Sequence, residues 1–258
     1  MPITISEERG VRYLHFGTRW VQGAMRIGRP HALELEYTRD LMAPLLLRAG
    51  TWPHQVLQVG LGAASITRFL HRYRPESRMT VLEIDPTVVE AARRYFRLPP
   101  EGPKLRIVVG DGADHVADKD RRYDLIVVDG FDDHGRPGML DSVPFYMNCR
   151  RRLAADGLMS VNLLTRTRGV KASVDRLKEA FDGHVLVMPP SEAGNTVALA
   201  SPGAIEESFE ALREAAARLN AETGLNLSPL IARLRVTHRG PRLAFAGGDP
   251  DKNWKRVP

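Results

Sequence analysis

From Gln55 onward, apolar and polar positions alternate in blocks. Short apolar runs occupy residues 54–60 (HQVLQVG), 79–85 (MTVLEID), 105–111 (LRIVVGD), 123–131 (YDLIVVDGF), 157–164 (GLMSVNLL), 184–190 (HVLVMPP) and 195–201 (NTVALAS). Between them lie SITRFLHRY, TVVEAARRYF, VPFYMNCRRRL and VKASVDRLKEAF, whose apolar residues recur at helical spacing. Runs this apolar predict strands buried on both faces, and the intervening helices predict parallel pairing. The last two runs are too close in sequence for a crossover, so they must pair antiparallel. The expected architecture is α/β, a doubly wound, mostly parallel seven-stranded sheet.

The flanks read differently. Residues 11–27 (VRYLHFGTRWVQGAMRI) predict two short strands around a Gly-Thr-Arg turn. Residues 33–48 predict a helix with Leu41, Leu45 and Leu46 on one side and an irregularity at Pro44. Beyond residue 205 the pattern is again helical (IEESFEALREAAARLNAE, then SPLIARLR), and the tail GGDPDKNWKRVP is polar. This divides the chain into a β-hairpin region (1–32), a central α/β domain (33–202) and a helical extension with its tail (203–258).

Composition narrows the function. Apolar residues make up 43% of the chain, enough for a proper core. No apolar run approaches the ~20 residues of a membrane helix, and the first residues lack a signal-peptide core. One cysteine, Cys149, excludes an internal disulfide and any multi-cysteine zinc site, and reads as a buried structural thiol. A soluble cytoplasmic protein without a resident metal is expected. The net charge of +6 is spread over helices that also carry acids, the Arg150–Arg151–Arg152 cluster included. It therefore reads as solvated helix faces and not as a nucleic-acid surface.

The chemistry gathers at the carboxyl ends of the strands, where ligands bind in doubly wound sheets. Gly60 and Gly62 close the first strand and let the backbone approach a ligand. Glu83 and Asp85 close the second. A carboxylate there can accept hydrogen bonds from both ribose hydroxyls, and Asp85 before Pro86 also reads as a helix cap. Asp111 closes the third strand, within reach of an adenine amino group, and Asp129 closes the fourth. Ser65 interrupts the G-x-G-x-x-G fingerprint, which disfavours a dinucleotide. Four carboxylates suit a cationic sulfonium or amine better than phosphates. Residues 123–146 add Asp132, Asp133 and Asp141 against one arginine, Arg136. Acids at the mouth can bind an ammonium, and one can take its proton. His134, in the same loop, reads as a surface residue. Trp20 is expected to pack the hairpin. Trp254 is either loose or clipped to a partner subunit.

The run VLQVGLGAAS…VLEIDP…GDG…YDLIVVDGFDD…FY…L…DG, with GNTVALAS later, resembles the spermidine/spermine synthase family, the polyamine aminopropyltransferases, over roughly residues 12–202. The resemblance implies a class I methyltransferase-like Rossmann fold and a homodimer. It implies transfer of an aminopropyl group from decarboxylated S-adenosylmethionine to a small diamine such as putrescine. Glu83 would then hold the ribose and Asp111 the adenine. Asp129 would be the base or amine anchor and Asp132 a second amine contact. Tyr37 would orient the nucleophile, and Gln22 would line the donor pocket. Three positions depart from the family pattern. Ala63 stands where an aspartate holds the donor's ammonium, Arg39 replaces a glutamate, and Asp133 replaces a proline. These departures keep two other readings open: a methyltransferase using intact S-adenosylmethionine, and a nucleoside-binding homologue without catalysis.

Overall fold

The computed structural model describes residues 3–17, 20–118, 120–132, 135–164, 170–191, 194–238 and 240–245. The expectations for Thr18 and Arg19 of the hairpin turn, Asp133, His134 and Trp254 fall outside these residues.

The central sheet has seven strands: β4 (Gln55–Val59), β5 (Arg78–Glu83), β6 (Leu105–Val109), β7 (Tyr123–Val128), β8 (Leu153–Leu164), β9 (Val185–Val187) and β10 (Asn195–Ala200). Their order is β6-β5-β4-β7-β8-β10-β9. The first five pair in parallel, and β10 lies antiparallel between β8 and β9. The order reverses between β4 and β7, which opens the ligand crevice of such folds at their carboxyl ends.

Alternate residues of each strand serve opposite faces. Val56, Val81, Leu125, Val127 and Leu199 join one buried cluster with Ile66, Phe69 and Leu70 of α2 (Ser65–Tyr73). Leu57, Leu82, Ile126, Val128 and Ala198 join the other, under α5 (Val143–Arg152) and α6 (Val170–Ala180). The C-terminal helices α7 (Phe209–Thr223) and α8 (Ser228–Thr237) press Phe209, Leu212, Leu219, Leu230 and Ile231 into the first cluster. They seal one face of the sheet.

The front of the chain departs from expectation. Three strands form an antiparallel meander, β1 (Ile3–Glu8), β2 (Val11–Phe16) and β3 (Gly23–Arg26), where a two-stranded hairpin was predicted. In β1, ITISEE, acids end a short apolar alternation and hide the strand signal. The long helix predicted over 33–48 is a short one, α1 (Glu36–Asp40), followed by a 3₁₀ turn over Ala43–Leu46. Pro44 lacks the N–H a continuing helix needs. Two further elements were not anticipated. They are α4 (Gly112–Asp118) and a small sheet of β11 (Glu206–Ser208) with β12 (Arg242–Ala244). Helix α3 (Pro86–Tyr95) starts at the predicted cap.

The strand ends are locked to each other. Backbone N–H groups of Gly60, Gly110 and Asp129 donate to Leu82, Glu83 and Val59 at 2.9, 3.0 and 2.8 Å. Gly60 sits at φ +93°, and a Cβ there would lie 2.1 Å from the Asp129 carbonyl oxygen. Gly28 has open space around it. We therefore expect Gly60→Ala to destabilise the protein by about 3 kcal/mol and Gly28→Ala by less than about 0.5. Urea unfolding of both variants checks this, and equal effects would contradict the crowding argument.

Candidate active site

A cavity of about 650 Å³ opens at the carboxyl ends of β4, β5, β6 and β7. Eight of the nine residues singled out from sequence line it: Gln22, Tyr37, Gly60, Gly62, Glu83, Asp111, Asp129 and Asp132. Asp85 does not. Its carboxylate caps α3, accepting from the Thr87 N–H (2.8 Å) and Oγ1 (2.6 Å).

Glu83 is buried. Its Oε2 accepts from the Leu61 N–H (2.9 Å) and its Oε1 from the Asp85 N–H (3.1 Å). Burial raises its pKa, and these backbone donors pull back against that rise. The carboxylate thus holds the Gly60–Gly62 turn and still faces the cavity. Asp111 accepts from the Ala113 N–H (2.7 Å), which ties it to the start of α4.

Asp129 extends β7 into the cavity, beside Asn162 of β8. The Asn162 amide donates to its Oδ1 at 2.9 Å, and the Tyr37 hydroxyl also donates to this carboxylate. Burial raises the Asp129 pKa to about 6. The Asn162 and Tyr37 bonds oppose the rise, and the nearby charge of Glu83 adds to it. Tyr37, half-buried with its hydroxyl beside an anion, is held well above its ordinary range and keeps its proton. No ion pair to Asp129 occurs among the described residues.

Asp132 has a different partner. Arg136 donates to it twice, from its backbone N–H and its Nε, both at 2.8 Å. Arg136 also lines the cavity, so the second acid is already shared with a cation. Glu36, another lining residue, pairs with Arg233 of α8, which also holds Asp40.

Arg39 does not line the cavity. Its Nη1 donates to the carbonyls of Leu33 (3.1 Å) and Glu34 (2.8 Å). Ala63 is buried, with its Cβ against Gly23 of β3. Trp20 is exposed and stands at the cavity mouth rather than packed in the front sheet. Burial pushes the Cys149 thiol up, as suits a structural thiol. No group of three or more metal-ligating side chains, and no helix long and apolar enough to cross a membrane, occurs among the described residues.

Sequence reasoning missed Asn162 and Asn195. Both line the cavity, and Asn195 donates to the Asn162 Oδ1 at 3.0 Å. They are 33 residues apart, and only the antiparallel register of β8 and β10 brings them together.

The fold is that of class I methyltransferase-like proteins. A solved structure of a probable spermidine synthase from Corynebacterium glutamicum superposes with a TM-score of 0.70 at 24% identity, covering 83% of each chain. The human methyltransferase-like protein 13, solved with SAH, follows at 0.66 and 24%, covering 74% of this chain and 93% of that one. The spermine/spermidine synthase domain model matches residues 34–178. A polyamine aminopropyltransferase of Neisseria meningitidis is 34% identical over 239 residues, 92% of this chain and 90% of that protein. The chain belongs to the spermine/spermidine synthase family.

Asp129 binds its proton more tightly in the folded protein than in the unfolded chain, where a carboxyl titrates near ~3.9. Its contribution to stability is therefore greatest below pH ~4 and is lost as pH rises through about 6. Asp129→Asn keeps the shape and removes the charge. We expect it to stabilise the fold at pH 7.5 by on the order of 1 kcal/mol, with no gain at pH ~3.5. Urea unfolding at the two pH values tests this. A variant less stable at pH 7.5 would contradict it.

Proposed function

We propose that this protein is a polyamine aminopropyltransferase. It transfers the aminopropyl group of decarboxylated S-adenosylmethionine to a small diamine such as putrescine and releases methylthioadenosine. The observation that carries the reading is Asp129. This carboxylate faces the cavity, is held by Tyr37 and Asn162, and has Glu83 and Asp111 on neighbouring strand ends. The Neisseria relative, a polyamine aminopropyltransferase aligned over nearly the whole chain, supports it.

In this reading the donor's ribose sits on Glu83 and its adenine near Asp111, the protein backbone at Gly60 and Gly62 approaches it closely, and Gln22 lies along the pocket. The acceptor's reacting nitrogen lies beside Asp129 and Tyr37. Its lone pair attacks the methylene next to the sulfonium. The C–S bond breaks, and its electron pair stays on sulfur as the neutral thioether. The proton leaving nitrogen passes to Asp129. A carboxylate at about 6 accepts it more readily than one near ~3.9. Asp132 anchors the acceptor's far end in competition with Arg136. Asp85 contributes by capping α3.

The rest of the reading follows the same line. The front sheet covers the donor, the central sheet carries the chemistry, and the C-terminal helices brace it. The protein works in the cytoplasm as a homodimer, without a nucleic-acid or membrane partner and without a metal. The intact-donor reading gets no support from Arg39, whose guanidinium turns to backbone carbonyls. Ala63 keeps that donor as the comparison arm of the test.

Calorimetric titration with intact and decarboxylated S-adenosylmethionine should show tighter binding of the decarboxylated donor, and the reverse order would sink the proposal. With putrescine present, methylthioadenosine should be released. Asp129→Asn should lower kcat by roughly 10²–10⁴-fold and leave donor affinity within about twofold. Tyr37→Phe should lower kcat by about tenfold.

A further inference from the structure

Strand β8 runs LMSVNLL through the buried sheet, and Asn162 is its one amide. The residue is 4% exposed. A buried amide among apolar neighbours is costly unless both of its ends are satisfied. Here both are. Its Nδ2 donates to Asp129 Oδ1 at 2.9 Å, and its Oδ1 accepts from the Asn195 Nδ2 at 3.0 Å. Asn195 is set in turn by Ser191, whose N–H donates to the Asn195 carbonyl at 2.7 Å and whose Oγ accepts from the Asn195 N–H at 3.2 Å.

The polarity of this chain is fixed from one end. An ionised carboxylate only accepts, so Asn162 must present its NH₂ to Asp129. Its carbonyl then faces Asn195, which must present its own NH₂. Neither amide can turn over without setting donor against donor or oxygen against oxygen.

We infer that Asn162, clamped by Asn195, is a positioning residue that fixes the orientation and proton affinity of Asp129. The inference rests on the reading of Asp129 as the group that receives the acceptor's proton. Asn162 ties up Oδ1 with a donor, which favours the ionised form and biases an incoming proton toward Oδ2. Tyr37 from α1 also donates to the carboxylate, and Glu83 at the end of β5 adds negative charge that favours its protonation. Glu36, Asp111, Asp132 and Arg136 line the same cavity. Asn162 and Tyr37 are therefore the groups that oppose burial and Glu83. Without Asn162 the base would keep its proton to higher pH and would be free to swing about its Cβ–Cγ bond.

The test is Asn162→Leu, near in shape and without a donor, with Asn195→Ala beside it. For Asn162→Leu we expect kcat to fall by about 10–100-fold with donor KM within about twofold. The ascending limb of kcat/KM against pH should move up by about one pH unit. Asn195→Ala should lower kcat by less and move the limb little, because Asn162 remains to donate. A merely structural role would lower activity without moving the limb. If leucine at this position prevents folding, Asn162→Thr suits a strand and places its hydroxyl short of the carboxylate. It should show the same upward movement. A second readout does not depend on turnover: carbon-13 titration of the Asp129 carboxyl, identified by its loss in Asp129→Asn. An upward move of its midpoint in the Asn162 variant supports the inference even if no methylthioadenosine is ever released. An unmoved midpoint overturns it even if the protein is an aminopropyltransferase.

Discussion

The contact between Gly60 and the Asp129 peptide governs the rest of the structure. Two parallel strands end side by side there, and the first turns away sharply enough that only a hydrogen fits on its α-carbon. The ladder continues past the formal strand ends through Gly60, Asp129 and Gly110. Four strand tips, those of β4, β5, β6 and β7, are thereby held at one level. Three of them, β5, β6 and β7, carry an acid into the same crevice. A substituted α-carbon at position 60 would push Asp129 away from Asn162 and Tyr37. Backbone crowding and side-chain chemistry are one constraint at this point.

The acids of the crevice share a location and differ in their fates, and their partners decide which. Glu83 accepts backbone N–H bonds that organise the glycine turn. Asp85 and Asp111 are held by the first N–H groups of α3 and α4, where an anion complements the helix end. Asp132 is shared with the exposed Arg136, an ion pair of little strength that a bound ammonium can compete for. Asp129 is held by neutral donors, an amide and a phenol, so burial raises its proton affinity and those two hydrogen bonds hold the rise in check, with Glu83 adding to it. Of the five, it is the one that burial pushes up to about 6, and it accepts a hydrogen bond from the Tyr37 hydroxyl.

The sheet and the strand-end residues were legible because two signals coincide in them. Continuous apolar runs mark doubly covered strands, and their ends fall where polar residues begin. The front meander was half legible, since the acids of β1 mask its alternation. Helix α1 was overextended because Leu41, Leu45 and Leu46 keep helical spacing across Pro44, and the 3₁₀ turn satisfies that spacing in another way. The pairings were not legible at all. That Arg136 reaches Asp132, that Arg39 turns to carbonyls and that Asn195 finds Asn162 are properties of loop closure and strand register. Sequence spacing carries neither.

The departure at Ala63 has a packing cause that the sequence alone does not reveal. Its Cβ meets Gly23 of β3, and a side chain added at Gly23 would come within 2.5 Å of it. Ala63 joins Leu14, Phe16, Met25, Val88 and Phe96 in the small cluster that seats the front sheet on the glycine turn and α3. Arg68, fully buried, ties the same region together by donating to the carbonyls of Ala63, Phe96 and Pro30. An aspartate at position 63 would need room that the close approach of Gly23 restricts. Small residues at 23 and 63 therefore go together. The front sheet lies this close to the glycine turn because both positions carry the smallest side chains.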